Sequence, residues 1–169
     1  MVNIDGTGKQ PLISGPGREL DPSWSPDGSQ LSFQRIEGTE SSAIYVTNSD
    51  SSGEKRLTDP SIWALSPAWS PDGESIAFSV LDRAPTTTDV YVMKADGTGV
   101  RQLTDGPPAS VFAWSPDASK LLIGRYGTRH SLHTLDLGTG NVKDLYTAEE
   151  PQSKGVYIKD AGWSPTPGK

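Results

Sequence analysis

The chain has 169 residues, a formal net charge of −6 and a pI of about 4.8, which makes it a poor match for nucleic acid, whose protein partners carry a basic stripe. Cysteine is absent, which excludes disulfides and thiolate metal sites, and no run of about 18 apolar residues is present to insert into a membrane. Eighteen glycines and 14 prolines make the chain turn-rich, and no stretch carries the apolar period of a helix.

Taken in chain order, Val2 to Leu12 has the pattern that returns at Met93 to Leu103. Then comes Trp24-Ser25-Pro26-Asp27-Gly28. The same five residues start again at Trp69, 45 positions on, and a near-copy with Ala118 for Gly starts at Trp114 after another 45. A fourth Trp-Ser-Pro begins at Trp163, with Thr166 and Pro167 where Asp and Gly stood. A fixed period of about 45 residues is the mark of a propeller blade. Within each unit a short alternating apolar run follows the motif: Leu31 and Phe33, Ile76 and Phe78, Leu121 and Ile123. The period of two predicts a strand. Ile44-Tyr45-Val46 and Val90-Tyr91-Val92 predict a further strand, followed by turn residues at Asp50 to Gly53 and Asp96 to Gly99. A last short strand is expected at Arg56-Leu57-Thr58-Asp59, at Arg101 to Asp105 and, more weakly, at Lys143 to Tyr146.

Four strands per unit, A to D, predict an all-β fold: a β-propeller of four-stranded antiparallel blades. Three complete blades fall at residues 16–60, 61–105 and 106–150, with C and D strands of a further blade at 1–15 and an A strand at 151–169. Pro26, Pro71 and Pro116 preset the second position of the A–B turn, Asp27, Asp72 and Asp117 suit the third, and Gly28 and Gly73 supply positive φ. Trp24, Trp69, Trp114 and Trp163 close strand A, where a flat side chain fills the gap between neighbouring blades.

The A–B turns share one face of a propeller, so Asp27, Asp72 and Asp117 are expected to ring its channel mouth, with Asp5, Asp50 and Asp96 further out. They read first as turn residues and second as a calcium or basic-peptide site. No other cofactor is expected. Asn48, Asp50, Ser52 and Gly53, with Asp59 at the twelfth position, echo a calcium loop, but Lys55 takes an apolar place and a turn is the better reading. The B–C loops (36–42, 81–88, 126–131) and the D–A loops (60–67, 106–110, 148–160) lie on the opposite face. There Trp63, Arg83, Arg125, Arg129 and Tyr157 are the residues of the types that dominate binding hot spots. The bland alternative is that Trp63 folds over its blade and the arginines are solvated. His130 and His133, three apart on a strand, point to opposite faces and read as edge or loop residues, and no G-x-S-x-G elbow is present. Asp96-Gly97-Thr98-Gly99 is a repeated hairpin turn, not a protease signature.

W-S-P-D-G, L-x-F, I-Y-V, D-G-T-G and R-x-L-T, in that order from about Asn3 to Pro165, resemble the repeat of the TolB-like (WD-like) β-propellers, which also cap the tricorn protease and some prolyl-oligopeptidase-type enzymes. The resemblance implies the fold, and, because propellers host binding modules and enzyme accessories alike, it implies function only coarsely. It points to a non-catalytic scaffold for a protein or peptide partner, with no nucleic acid and no membrane insertion. The incomplete ring predicts self-association into a homo-oligomer, since open sheet edges invite pairing. The alternatives are the propeller portion of a larger enzyme, such as a tricorn-like or prolyl-oligopeptidase-like peptidase, and an engineered minimal propeller. Family members are often periplasmic or secreted, although the first residues here do not read as a signal peptide.

Overall fold

The structure, a computed structural model, describes residues 7–8, 11–13, 15–39, 41–83, 86–127, 129–147 and 163. The expected part-blades at 1–15 and 151–169 lie mostly outside them. The described strands form three four-stranded antiparallel meanders. The first blade is β1 (Arg18–Trp24), β2 (Gln30–Glu37), β3 (Ser41–Asn48) and β4 (Lys55–Arg56). The second is β5 (Trp63–Trp69), β6 (Ser75–Arg83), β7 (Thr86–Lys94) and β8 (Arg101–Gln102). The third is β9 (Ala109–Trp114), β10 (Lys120–Arg125), β11 (Ser131–Asp136) and β12 (Val142–Thr147). Among the described residues no helix is long and apolar enough to cross a membrane.

The five-residue motif builds the β1–β2 hairpin as its residue types require. Ser25 N–H donates to Gln30 O and Gly28 N–H donates to Ser25 O, both at 2.9 Å, and Gly28 takes a φ of 70°. Ala118 holds the same corner at a φ of 56°, a region where a Cβ crowds the backbone. Ala118→Gly is therefore expected to stabilise the protein by about 0.5–1 kcal/mol, read as a raised urea midpoint at unchanged m; a lowered midpoint would refute it.

Strand D is shorter than the sequence suggests in the first two blades, and a side chain explains why. Leu57 N–H donates to Ile44 O at 2.8 Å, and then Ile44 N–H finds the hydroxyl of Thr58 at 3.0 Å. Leu103, Val90 and Thr104 repeat this at 2.7 and 2.9 Å. The Thr hydroxyl takes the place of a ladder carbonyl, which is what the recurrent Leu-Thr encodes. In the third blade, where the sequence looks weakest, β12 runs six residues with every one exposed.

The second blade is buried on both faces because it is sandwiched between the first and the third. One apolar cluster joins Ile44, Val46 and Leu57 of the first blade to Ala64, Trp69, Ile76, Phe78 and Met93 of the second. The other joins Ala77 and Val90 of the second to Ala109, Val111, Leu121, Ile123 and Leu135 of the third, with Trp114 packed against it. The expectation for the tryptophans needs one correction. Trp69 is 8% exposed and wedged between blades, but Trp24 is 44% exposed. Each indole packs toward the blade before its own, and no described blade precedes the first. Trp163 is also exposed.

Candidate functional site

On the hairpin-turn face, the repeated aspartates are held inside their own turns. Asp27 Oδ1 accepts from Ser25 Oγ at 2.7 Å and Ser29 N at 3.0 Å. Asp72 accepts from Ser70 Oγ and Glu74 N, and Asp117 from Ser115 Oγ and Ser119 N. The Ser hydroxyls, with the following backbone N–H groups, bring the Asp27 and Asp117 carboxyls down to about 2 and lower that of Asp72. Asp50 and Asp96 are bound likewise by Ser52 and Thr98, and Asp59 turns to Ser61 instead of to the loop of Asn48. Among the described residues no group of three or more His, Cys, Asp or Glu is placed to hold a metal ion. Trp24, Pro26, Trp69, Pro71, Trp114 and Pro116 line a cavity of about 380 Å³ where the three turns converge; the aspartates, folded back onto their serines, do not line it.

A pH response follows from these locks. Their carboxyls titrate lower in the folded chain than the ordinary value of 3.8, so the folded state binds fewer protons and acid favours unfolding. The stabilisation is complete above about pH 4 and disappears as pH falls toward 2. Melting temperature should drop mainly across that window, less steeply in Asp27→Asn; a flat profile from pH 5 to 2 would contradict the assignment.

The loop face carries a cavity of about 470 Å³. Trp63, at the start of β5, forms part of its wall, with Tyr91 of β7, Asp82 and Val80 of β6, Asp89 and Gln102. The register shows what the other blades place there. Tyr45 pairs with Arg56 in the first blade, Tyr91 with Gln102 in the second, and His133 with Asp144 in the third. In the first blade Tyr45 donates its hydroxyl proton to Glu37, which also takes Arg56 Nη1 at 2.9 Å. In the third, His133 Nδ1 lies 2.6 Å from Asp144 Oδ1 and Nε2 lies 2.7 Å from Ser131 Oγ.

That chain of three corrects the reading of His133 as an edge or loop residue. It is buried in β11, and the pattern was readable: Ser131 and His133, two apart on a strand, share a face, and Asp144 follows on the next strand. The order Ser–His–Asp is that of a hydrolytic triad. Ser131, however, is a strand residue, paired with Arg125 on one side and Thr147 on the other, instead of lying on a turn that would raise its Oγ. The bond from His133 to Asp144 ties β11 to β12.

Of the other loop-face candidates, Arg125 is half-buried and Arg129 exposed. Tyr157 and the Arg83 side chain lie outside the described residues. Arg35 escaped the sequence reading although it is a buried charge: it is 4% exposed and pairs with Glu19 and Glu54 over the rings of Phe33 and Tyr45.

Residues 1–165 match the sequence profile of the TolB β-propeller domain. The chain belongs to that family. Similar TolB-type structures include TolB from Acinetobacter baumannii, 23% identical with a TM-score of 0.71, covering 85% of this chain and 36% of that one. A second, assigned as TolB in Agrobacterium tumefaciens, is 24% identical with a TM-score of 0.69, covering 80% and 51%. The acylaminoacyl peptidase of Pyrococcus horikoshii is 14% identical with a TM-score of 0.63, covering 83% of this chain and 26% of that one. Identities this low show the TolB-like propeller fold, and the chain spans only about a third to a half of the two TolB-type structures. No curated protein sequence matches it.

Proposed function

We propose that the chain is a non-catalytic, protein-binding propeller segment that meets its partner on the face carrying the B–C and D–A loops. The observation that carries this reading is the cavity at Trp63: concave, aromatic-walled and acidic, on a face whose loops are free to vary over a rigid scaffold. The acids of the opposite face are used to fasten hairpins. The Ser131–His133–Asp144 chain supports no separate hydrolytic role, because it fastens two strands. A photo-crosslinking residue at Ser61, on the cavity rim, should capture a protein in cells that make this chain, whereas one at Ser49, in the turn after β3, should not. Capture from both positions equally, or from neither, would sink the reading.

The proposal includes self-association. It is supported by Trp24, whose indole stands exposed on the flank where Trp69 and Trp114 each have a preceding blade to cover them. Light scattering should report a mass above 18.0 kDa, rising with concentration; a concentration-independent 18.0 kDa species would remove this part and leave the loop-face reading standing.

A further inference from the structure

The repeated five-residue motif leaves a concave surface that its turn-forming role does not account for. Trp24, Trp69 and Trp114, with Pro26, Pro71 and Pro116, wall the cavity of about 380 Å³ on the hairpin-turn face. A second hollow, of about 220 Å³, shares Pro26 and Trp69 with it and has Asp27 and Asp72 in its lining, one from each of the first two turns. No Lys, Arg or His is among the described residues that line either. The two hollows adjoin at Pro26 and Trp69 and make one surface, aromatic in its larger part and acidic in its smaller.

Each part lacks something a ligand would supply. In the aromatic part Trp24 is 44% exposed, Trp114 is half-buried and all three prolines are exposed. Trp114 donates its indole N–H to Ala68 O at 2.8 Å, but the buried N–H of Trp69, in the wall common to both hollows, has no hydrogen-bond partner. An unpaired buried donor is a group that a bound acceptor satisfies. In the acidic part Asp27 and Asp72 accept only from neutral groups, the hydroxyls of Ser25, Ser29 and Ser70 and the backbone N–H groups of Ser29 and Glu74. These bonds, those from the Ser25 and Ser70 hydroxyls foremost, hold both carboxyls below the ordinary value, so both are charged at neutral pH. Among the described residues neither is paired with a cation.

We propose that this surface binds a proline-rich segment of a partner protein that carries a lysine, with prolyl rings in the aromatic cavity and the ammonium group in the acidic hollow. A polyproline II segment is extended before it binds, so it loses little freedom on docking, and it presents rings and carbonyl oxygens together to an aromatic-lined groove. Its carbonyls are acceptors of the kind that Trp69 lacks. Lysine suits the hollow better than arginine does, because a compact charge on a flexible stem needs no pair of free oxygens, and the serines already occupy part of each carboxylate. The inference goes beyond the loop-face reading and does not rest on it, and Ser49 lies outside both linings.

The test uses the full chain and the blocked peptide acetyl-Pro-Pro-Lys-Pro-Pro-amide, with two counterparts: one has alanine for every proline, the other norleucine for the lysine. Binding is followed in NMR through the indole N–H signals of Trp24 and Trp69, each identified by its loss in the Trp→Phe variant. The parent peptide is expected to move both signals with a Kd of about 1 mM or tighter and to leave that of Trp63, on the opposite face, in place. The alanine peptide should bind at least about tenfold more weakly and the norleucine peptide at least about threefold. Trp24→Ala should weaken the parent peptide at least about fivefold, read from Trp69. Asp72→Asn keeps the oxygen that accepts from Ser70 and Glu74 and removes the charge, so it should weaken the lysine peptide about threefold and leave the norleucine peptide unchanged. Trp24 and Asp72 are both exposed, so neither variant is expected to lose its fold, which a melting curve verifies. Equal affinity for the proline and alanine peptides overturns the proposal, as does equal affinity for the lysine and norleucine peptides, full binding by Trp24→Ala, or a shift at Trp63 in place of Trp24. Crosslinking from Ser61 in the absence of peptide binding would retain the loop face and discard this site; peptide binding without crosslinking would do the reverse.

Discussion

Trp69→Ala is expected to lower the unfolding free energy by about 4 kcal/mol, and Trp24→Ala by less than about 1 kcal/mol, although the two residues open identical five-residue motifs. The difference lies in what stands beside them. Trp69 shares its cluster with Ile44, Val46 and Leu57 from one blade and Ile76, Phe78 and Met93 from the other, so its removal leaves a void that two rigid sheets cannot collapse to fill. Trp24, nearly half exposed, leaves no void. Trp114 falls between: it is half-buried, and its indole N–H donates to Ala68 O of the preceding blade at 2.8 Å. In a repeat protein stability is a sum of unit terms and interface terms, and Trp69 belongs to an interface. Urea unfolding of Trp69→Ala should therefore show a reduced m or a second transition, as the first blade separates from the rest, together with the fall in midpoint. Equal losses at Trp24 and Trp69 would refute the assignment.

The same comparison shows where sequence reading succeeds. Periodicity reports covalent pattern, so the blades and their strand order were legible from the recurrence of Trp-Ser-Pro-Asp and the alternating runs after it. The neighbours of a repeated residue are not repeated with it. Trp24 and Trp69 are indistinguishable in sequence and differ in exposure because only one has a described blade to lean on. Asp27, Asp72 and Asp117 were recognisable as turn residues, but their direction was not. Whether such a carboxylate faces a channel or its own Ser hydroxyl depends on a side-chain rotation that no spacing encodes. The cavity at Trp63 was legible only as one aromatic residue in a variable loop. Its character comes from Asp82, Asp89 and Gln102, three residues on three strands, brought together by register. Arg35 was missed because a charge on a strand is expected at the surface, and here both faces of the strand are covered.

Arg35→Ala is expected to cost about 3–4 kcal/mol, the second large effect. Its guanidinium makes a fork to Glu54 at 2.5 and 2.9 Å, donates from Nε to Glu19 at 3.1 Å, and lies 5.2 and 4.6 Å from the ring centres of Phe33 and Tyr45. At the matching place in the second blade stands Val80, and the first blade supplies apolar cover for Phe78. In the first blade the arginine itself covers the rings, with its two acids closing over it. Two contributions are thus combined, and three substitutions separate them. Arg35→Met keeps most of the packing and frees Glu19 and Glu54, which are 25% and 39% exposed in their side chains and readily hydrated, so it should recover at least half of the loss. Arg35→Lys keeps the charge but has no fork and a poorer ring contact, so it should recover less than Met does. Glu54→Gln leaves the buried cation with Glu19 alone and should destabilise as well. Acid distinguishes the electrostatic share. The hydrogen bond from Arg35 holds the Glu54 carboxyl below its ordinary 4.5, so this stabilisation is present above that pH and lost as pH falls through the lowered value. The gap between the native chain and Arg35→Met should accordingly narrow below pH 4. A gap that stays constant to pH 3, or a lysine variant as stable as the native chain, would show that shape and not the paired guanidinium holds this flank of the first blade.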